Sequence, residues 1–246
     1  MSTTNKKENY LYENSYVMDF NRMRENNYHC KLVKNSIQPY FEKLEEHLIG
    51  YIEKSPYVIG CVAWLTNKNI IEALENIKGV KIIINKEEYL NSNMKIGRKF
   101  YYKCLRGRYN EVTDLFNINC ECCKKFVRDC PNFNKIFSPI FIDKKLSENL
   151  SDDIEKNGAI ITCGIVNNFS KMHHKFLIFF NNKFEPTGVW TGSYNLSKTG
   201  NFSLENALYI TDIDVMMEYI KEFFAIYPFS ESYNWKSGVL CTSIKN

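Results

Sequence analysis

Apolar residues in this chain cluster into short runs divided by polar joints, with helical periodicity in a few places only. From Ile37 to Lys54 the positions Ile37, Phe41, Leu44, Leu48, Ile49 and Ile52 recur at helical spacing, which predicts an amphipathic helix. Tyr57–Leu65 is a short apolar run that reads as a buried strand. Asn67 then fits the N-cap of a helix reaching Ile77, with Gly79 just past its end. Val80–Ile84 is the next strand. A strand, helix, strand order with short joints predicts a βαβ unit and a mixed, mainly parallel β-sheet flanked by helices, an α/β fold. Strands are expected again at Ala159–Ile165, His173–Phe179, Val189–Thr191 and near Leu204–Ile210. A closing helix from about Asp212 to Ile226 would turn Val215, Met216, Tyr219, Ile220 and Phe223 to one side.

The chain has 246 residues, enough for one domain with a sizeable core, and its 44% hydrophobic and 15% aromatic content argues for a folded protein. Residues 1–35 are polar and weakly patterned and read as an arm. Residues 36–236 read as the domain, with an insertion at about 105–140, and 237–246 as a tail. A net charge of +4 is too mild to point to nucleic acid by itself. No stretch approaches the roughly 18 apolar residues of a membrane span, and the first residues lack the apolar centre of a signal peptide, so a cytoplasmic location away from membranes is expected. Nine cysteines without an export signal are expected to be thiols rather than a disulfide framework.

Chemistry concentrates in the run Met172-His173-His174-Lys175-Phe176 and the later Gly192-Ser193-Tyr194-Asn195 and Glu205. Side chains two apart on a strand share a face, so His173 and Lys175 fall on one side and His174 on the other. An imidazole beside an ammonium, backed by a donor-rich turn, suits an anionic tetrahedral group such as phosphate. The imidazole can serve as nucleophile or acid/base while the cation and amide stabilise growing negative charge. His174, His29 and His47 lack such a partnering motif and read as structural.

These residues resemble the signature of the phospholipase D superfamily, HxKxxxxD followed by GSxN and a downstream acid. His173 and Lys175 match its first two positions, Ser193 and Asn195 its GSxN, and Glu205 its acid, while Phe180 stands where Asp is usual. The runs Gly60–Asn67, Val189–Ser193 and Ser230–Trp235 are similar to the single-copy bacterial and phage branch. The resemblance implies a phospholipase D-like fold and phosphodiester hydrolysis through a phosphohistidine, with no metal ion or cofactor. His173 would be nucleophile or acid, Lys175 and Asn195 phosphate clamps, Ser193 a further donor, and Glu205 the acceptor of the second ring proton of His173. A single HxK and GSxN also implies a homodimer that assembles one composite site across its two-fold axis. An endonuclease acting on DNA or RNA is the favoured activity. A lipid phosphodiesterase and a catalytically inactive binding module are the alternatives.

The segment 95–109 adds a nucleic-acid signal. Lys95, Arg98, Lys99, Lys103 and Arg106 would form a basic stripe if it is helical, with Ile96, Phe100 and Cys104 on another side. A basic face among tyrosines suits a phosphodiester backbone and unpaired bases, but also a plain solvated face or an anionic membrane surface. Cys120, Cys122, Cys123 and Cys130 do not follow the paired CxxC spacing of a zinc site; ordinary thiols or an adventitious disulfide are favoured, with a structural metal as the alternative.

Overall fold

In the computed structural model, residues 36–91, 99–116, 158–166 and 171–235 are described. Strands β1 (Ile37–Tyr40), β2 (Tyr57–Val62), β3 (Gly79–Asn85), β4 (Ile160–Cys163), β5 (Lys175–Phe180), β6 (Pro186–Gly192), β7 (Ala207–Ile210) and β8 (Glu231–Ser232) alternate with helices α1 (Leu44–Glu53), α2 (Lys68–Glu75), α3 (Lys99–Glu111) and α4 (Ile213–Ile226). The strands form one mixed sheet in the order β1-β7-β6-β5-β2-β3-β4-β8.

Among the strand junctions, only β2–β3 and β3–β4 are parallel. The other five junctions are antiparallel, so the expected mainly parallel sheet holds only at its centre. The reason is local. A five-residue connection makes β5–β6 an antiparallel hairpin, whereas a parallel pair needs a crossover such as α2.

Alternation along the strands divides the core into two layers. Val58 and Val62 of β2, with Leu177 and Phe179 of β5, pack toward α1, α2 and α3. Ile59, Cys61, Phe176, Ile178 and Phe180 pack on the opposite face beneath Met216, Ile220 and Phe223 of α4. Each such apolar side chain contributes about 1.5–3 kcal/mol by leaving water. Helices α2 and α4 start on side-chain caps. Asn67 Oδ1 accepts from the amides of Asn69 and Ile70 at 2.9 and 3.4 Å. Asp212 Oδ1 accepts from Asp214 and Val215 at 3.1 and 3.2 Å.

Two expectations change. Ile37–Tyr40 is not the start of a helix but the edge strand β1, paired with β7. Pro39 explains this, because it disfavours a helix interior and is tolerated at a sheet edge. Helix α3 forms, yet its buried face is Leu105 and Tyr109, and Cys104 is exposed. Most of the expected insertion, with Cys120, Cys122, Cys123 and Cys130, lies outside the described residues, as do the arm at 1–35, His29 and the tail.

Candidate phosphodiester site

Three connecting segments meet at the end of the sheet where β2 and β6 finish and β5 and β7 begin. The stretch before β5 carries His173 and Lys175. Although β5 starts only at Lys175, the alternation continues backward, because the amide of Ala63 donates to the carbonyl of His174 at 2.8 Å. His173 and Lys175 therefore share one side. His174 turns to the other, where its Nε2 lies 3.0 Å from Glu222 Oε1 on α4.

His173 is exposed and Lys175 half-buried. The Lys175 ammonium lies 3.1 Å from His173 Nδ1 and donates to the His173 carbonyl at 3.0 Å. An ammonium has protons only to give, so in this geometry Nδ1 is the acceptor and the neutral ring carries its proton on Nε2. Partial burial, then the charges of Lys175 and Lys171 and the neighbouring His174, hold the imidazole pKa below its ordinary value of 6.5. Burial also lowers the Lys175 pKa, and the nearby Glu205 carboxylate opposes that shift. The result is an accessible imidazole that is neutral near pH 7, beside a cation.

The opposite wall is the turn after β6. Ser193 Oγ donates to Glu205 Oε2 and accepts from the amide of Asn206 at 3.1 Å. Gly192 makes this turn feasible. Its φ is +155°, and a Cβ there would lie 2.3 Å from the Asn206 carbonyl oxygen and 2.7 Å from Ala207 Cα. No L side chain fits. Continuing the β5–β6 register past Phe176–Thr191 brings Lys175 opposite this bare glycine.

Behind the turn, three asparagine amides converge on one carboxylate of α1. Glu45 accepts from Asn67 at 2.8 Å, from Asn69 at 2.5 Å and from Asn201. Asn201 in turn accepts the hydroxyl of buried Tyr194 at 2.5 Å. The network fastens the Ser193–Asn201 loop to α1 and α2. Asn195 follows Tyr194, and its Oδ1 is buried with no hydrogen-bond partner among the described residues.

His173 contacts Lys175, and Ser193 contacts Glu205 on the neighbouring turn, with two differences from the expected roles. Glu205, expected to take a ring proton from His173, instead accepts from Ser193. The Ser193 hydroxyl, expected to meet a ligand, is engaged by Glu205. Phe180 is not in the site at all. It ends β5, five residues beyond Lys175 and so roughly 17 Å along the strand, buried with Phe184 at a ring distance of 6.1 Å. Phe184 stacks on Tyr57 at 4.0 Å.

The basic stripe is only partly described. Lys95 and Arg98 lie outside the described residues, and Lys99 begins α3. Lys103 is exposed, while Arg106 is half-buried and donates to the Tyr89 carbonyl at 2.9 Å. Arg108 is bound to Glu75 through two contacts of 2.8 and 2.7 Å. Helix α3 touches the joint after β2, where Tyr101 donates to the Thr66 carbonyl at 3.4 Å. Among the described residues no group of three or more His, Cys, Asp or Glu side chains is placed to hold a metal ion, and no helix is long and apolar enough to cross a membrane.

Sequence reasoning missed Trp64, Asn85 and Glu87, which stand beside His173. The indole meets the imidazole edge-on, with ring centroids 5.2 Å apart and planes at 85°. The available signal was a tryptophan at the end of an apolar strand, where a large ring is only half covered.

No family model matches the chain. Among solved structures, NucT from Helicobacter pylori is 13% identical with a TM-score of 0.48, over 80% of this chain and 98% of that one. Nuc from Salmonella typhimurium, a phospholipase D family member, is 16% identical with a TM-score of 0.45, over 81% and 99% of the two chains. Uncharacterized protein L381 of Acanthamoeba polyphaga mimivirus is 55% identical over 229 residues, which span 93% of this chain and 78% of that protein. With that identity across most of both sequences, the chain belongs to the same family as protein L381.

Proposed function

We propose that this protein hydrolyses phosphodiester bonds of nucleic acid through a covalent histidine intermediate, in a site completed by a second copy of the chain. The observation that carries this reading is the 3.1 Å His173–Lys175 pair, accessible at the sheet end and faced by the Ser193–Glu205 turn. The resemblance of these residues to the phospholipase D signature supports it independently.

In the proposed reaction, a ring nitrogen of His173 attacks phosphorus and a P–N bond forms as the P–O bond to the leaving group breaks. His173 of the second copy gives its proton to the departing oxygen. It then takes a proton from water, which cleaves the P–N bond and frees the first ring. The acid role belongs to the second copy's ring in its imidazolium form, which gives up the Nε2 proton and stays neutral with its proton on Nδ1. Attack through Nε2 requires the proton on Nδ1, so Lys175 would have to leave that nitrogen and Glu205 turn from Ser193 to accept the proton. Lys175 and Asn195 would hold the non-bridging oxygens and balance their charge, so a metal ion is not required for that role.

The polynucleotide preference rests on α3. Exposed Lys103 and Tyr101 offer a cation and a ring on a helix that begins next to the site. The test is hydrolysis of single-stranded DNA, duplex DNA, RNA and cardiolipin vesicles by the purified protein in EDTA, beside His173→Ala. Polynucleotide cleavage that persists in EDTA and vanishes in the variant is the expected result. Cleavage of lipid alone would replace the substrate. Nucleic-acid binding that survives His173→Ala without any hydrolysis would make the protein a binding module.

A further inference from the structure

His173 sits in a three-residue stretch ahead of β5, outside regular structure and exposed, so its ring needs something other than the sheet to fix it. Two arms reach it from the ends of β2 and β3, and both end on one carboxylate. In the first, Trp64 holds its indole edge-on against the imidazole at 5.2 Å. The Trp64 Nε1–H donates to Glu87 Oε1 at 3.1 Å. In the second, Asn85 Oδ1 accepts the amide of Met172, the residue before His173, at 3.1 Å. The other end of the Asn85 amide donates to the same Glu87 Oε1 at 2.6 Å.

One oxygen atom therefore fixes the ring beside the imidazole and the amide that anchors its backbone. Asn85 is buried, and Glu87 and Trp64 are half-buried, so these bonds are shielded from competing water. From this geometry we infer that Glu87 is a positioning residue for His173, acting through Trp64 on the ring and through Asn85 on the main chain. Glu87 itself is not expected to touch substrate. Its kinetic consequence rests on the phosphodiesterase reading; its structural consequence does not.

A ring held edge-on to an indole carries a ring-current shift, and the chain has four histidines and three tryptophans, few enough to assign by NMR. The test compares the His173 Cε1–H and Trp64 indole N–H signals in the wild type, Glu87→Ala, Glu87→Gln and Trp64→Leu, alongside turnover of bis-p-nitrophenyl phosphate. Glu87→Ala is expected to move both signals and lower kcat about tenfold to a hundredfold, as misplacement of a reacting group does, with KM changed less than about twofold. Glu87→Gln keeps a carbonyl acceptor for both donors and should restore the signals and most of kcat. Trp64→Leu should remove the ring-current shift of His173, and it carries the test if Glu87→Ala does not fold. A His173 signal unmoved in both Glu87→Ala and Trp64→Leu overturns the inference, as does one that moves in Trp64→Leu only, with Glu87→Ala folded. A wild type that turns over no phosphodiester refutes the functional reading instead, while the NMR comparison still decides this one.

Discussion

The two ends of β5 differ as much as any two places in the molecule. At its start His173 is exposed and Lys175 half-buried, held by a carbonyl, an indole edge and a hydrogen bond to the end of β3. At its finish Phe180 is fully buried beside Phe184, which is itself stacked on Tyr57. One end keeps polar groups loose enough to meet a ligand, and the other closes the core. The lesson concerns the position where related signatures carry an aspartate. In this chain that position lies at the apolar end, so a phenylalanine there can strengthen the core without touching the His173–Lys175 pair.

That contrast can be broken first at the polar end. His173→Ala should lower phosphodiester hydrolysis by roughly 10³-fold or more, as loss of a covalent nucleophile does, while the urea midpoint stays near that of the wild type. A midpoint that falls along with activity would mean that the imidazole serves folding. At the other end, Phe180→Asp should cost about 4 kcal/mol or more, because a large core ring is lost and a carboxylate is buried. Urea unfolding measures that loss, and activity per folded molecule should not rise. A gain in activity would show that the two ends are coupled.

A smaller effect comes from pH. The folded-state pKa of His173 lies below 6.5, so the neutral, nucleophilic form is present above that lowered value and is lost as pH falls through it. The acidic limb of kcat/KM should accordingly titrate below the ordinary histidine range, and a limb at or above 6.5 would contradict the site's electrostatics. Smallest of all, His174→Ala removes an exposed pair with Glu222 and should cost less than about 1 kcal/mol. Hydrolysis should be nearly unchanged, since that ring faces α4 rather than Lys175.

What the sequence reveals divides along physical lines. Strands β2 and β3, the Asn67 cap and α4 are legible because each depends on local pattern: apolar runs, a capping side chain, a helical stripe. The face shared by His173 and Lys175 is legible for the same reason, although β5 begins two residues later than the pattern implies. Strand β1 is not, because Ile37 happens to fall in helical phase with Leu44 and Leu48, and only pairing with β7 settles it. The face of α3 is misread because Tyr102, Leu105 and Tyr109 lie on a different side from Cys104, and packing against the core and Tyr233 decides which is buried. The links from Glu87 to Trp64, from Asn85 to Met172 and from Glu45 to Asn201 join segments far apart in the chain. Periodicity carries no trace of them.

The most direct test of the central claim is to trap the intermediate. Protein mixed with phosphodiester substrate in EDTA and quenched at alkaline pH should carry an acid-labile phosphoryl group, mapped by mass spectrometry to His173 and absent from His173→Ala. Hydrolysis that continues undiminished in His173→Ala, or a phosphoryl adduct on another residue, would contradict it.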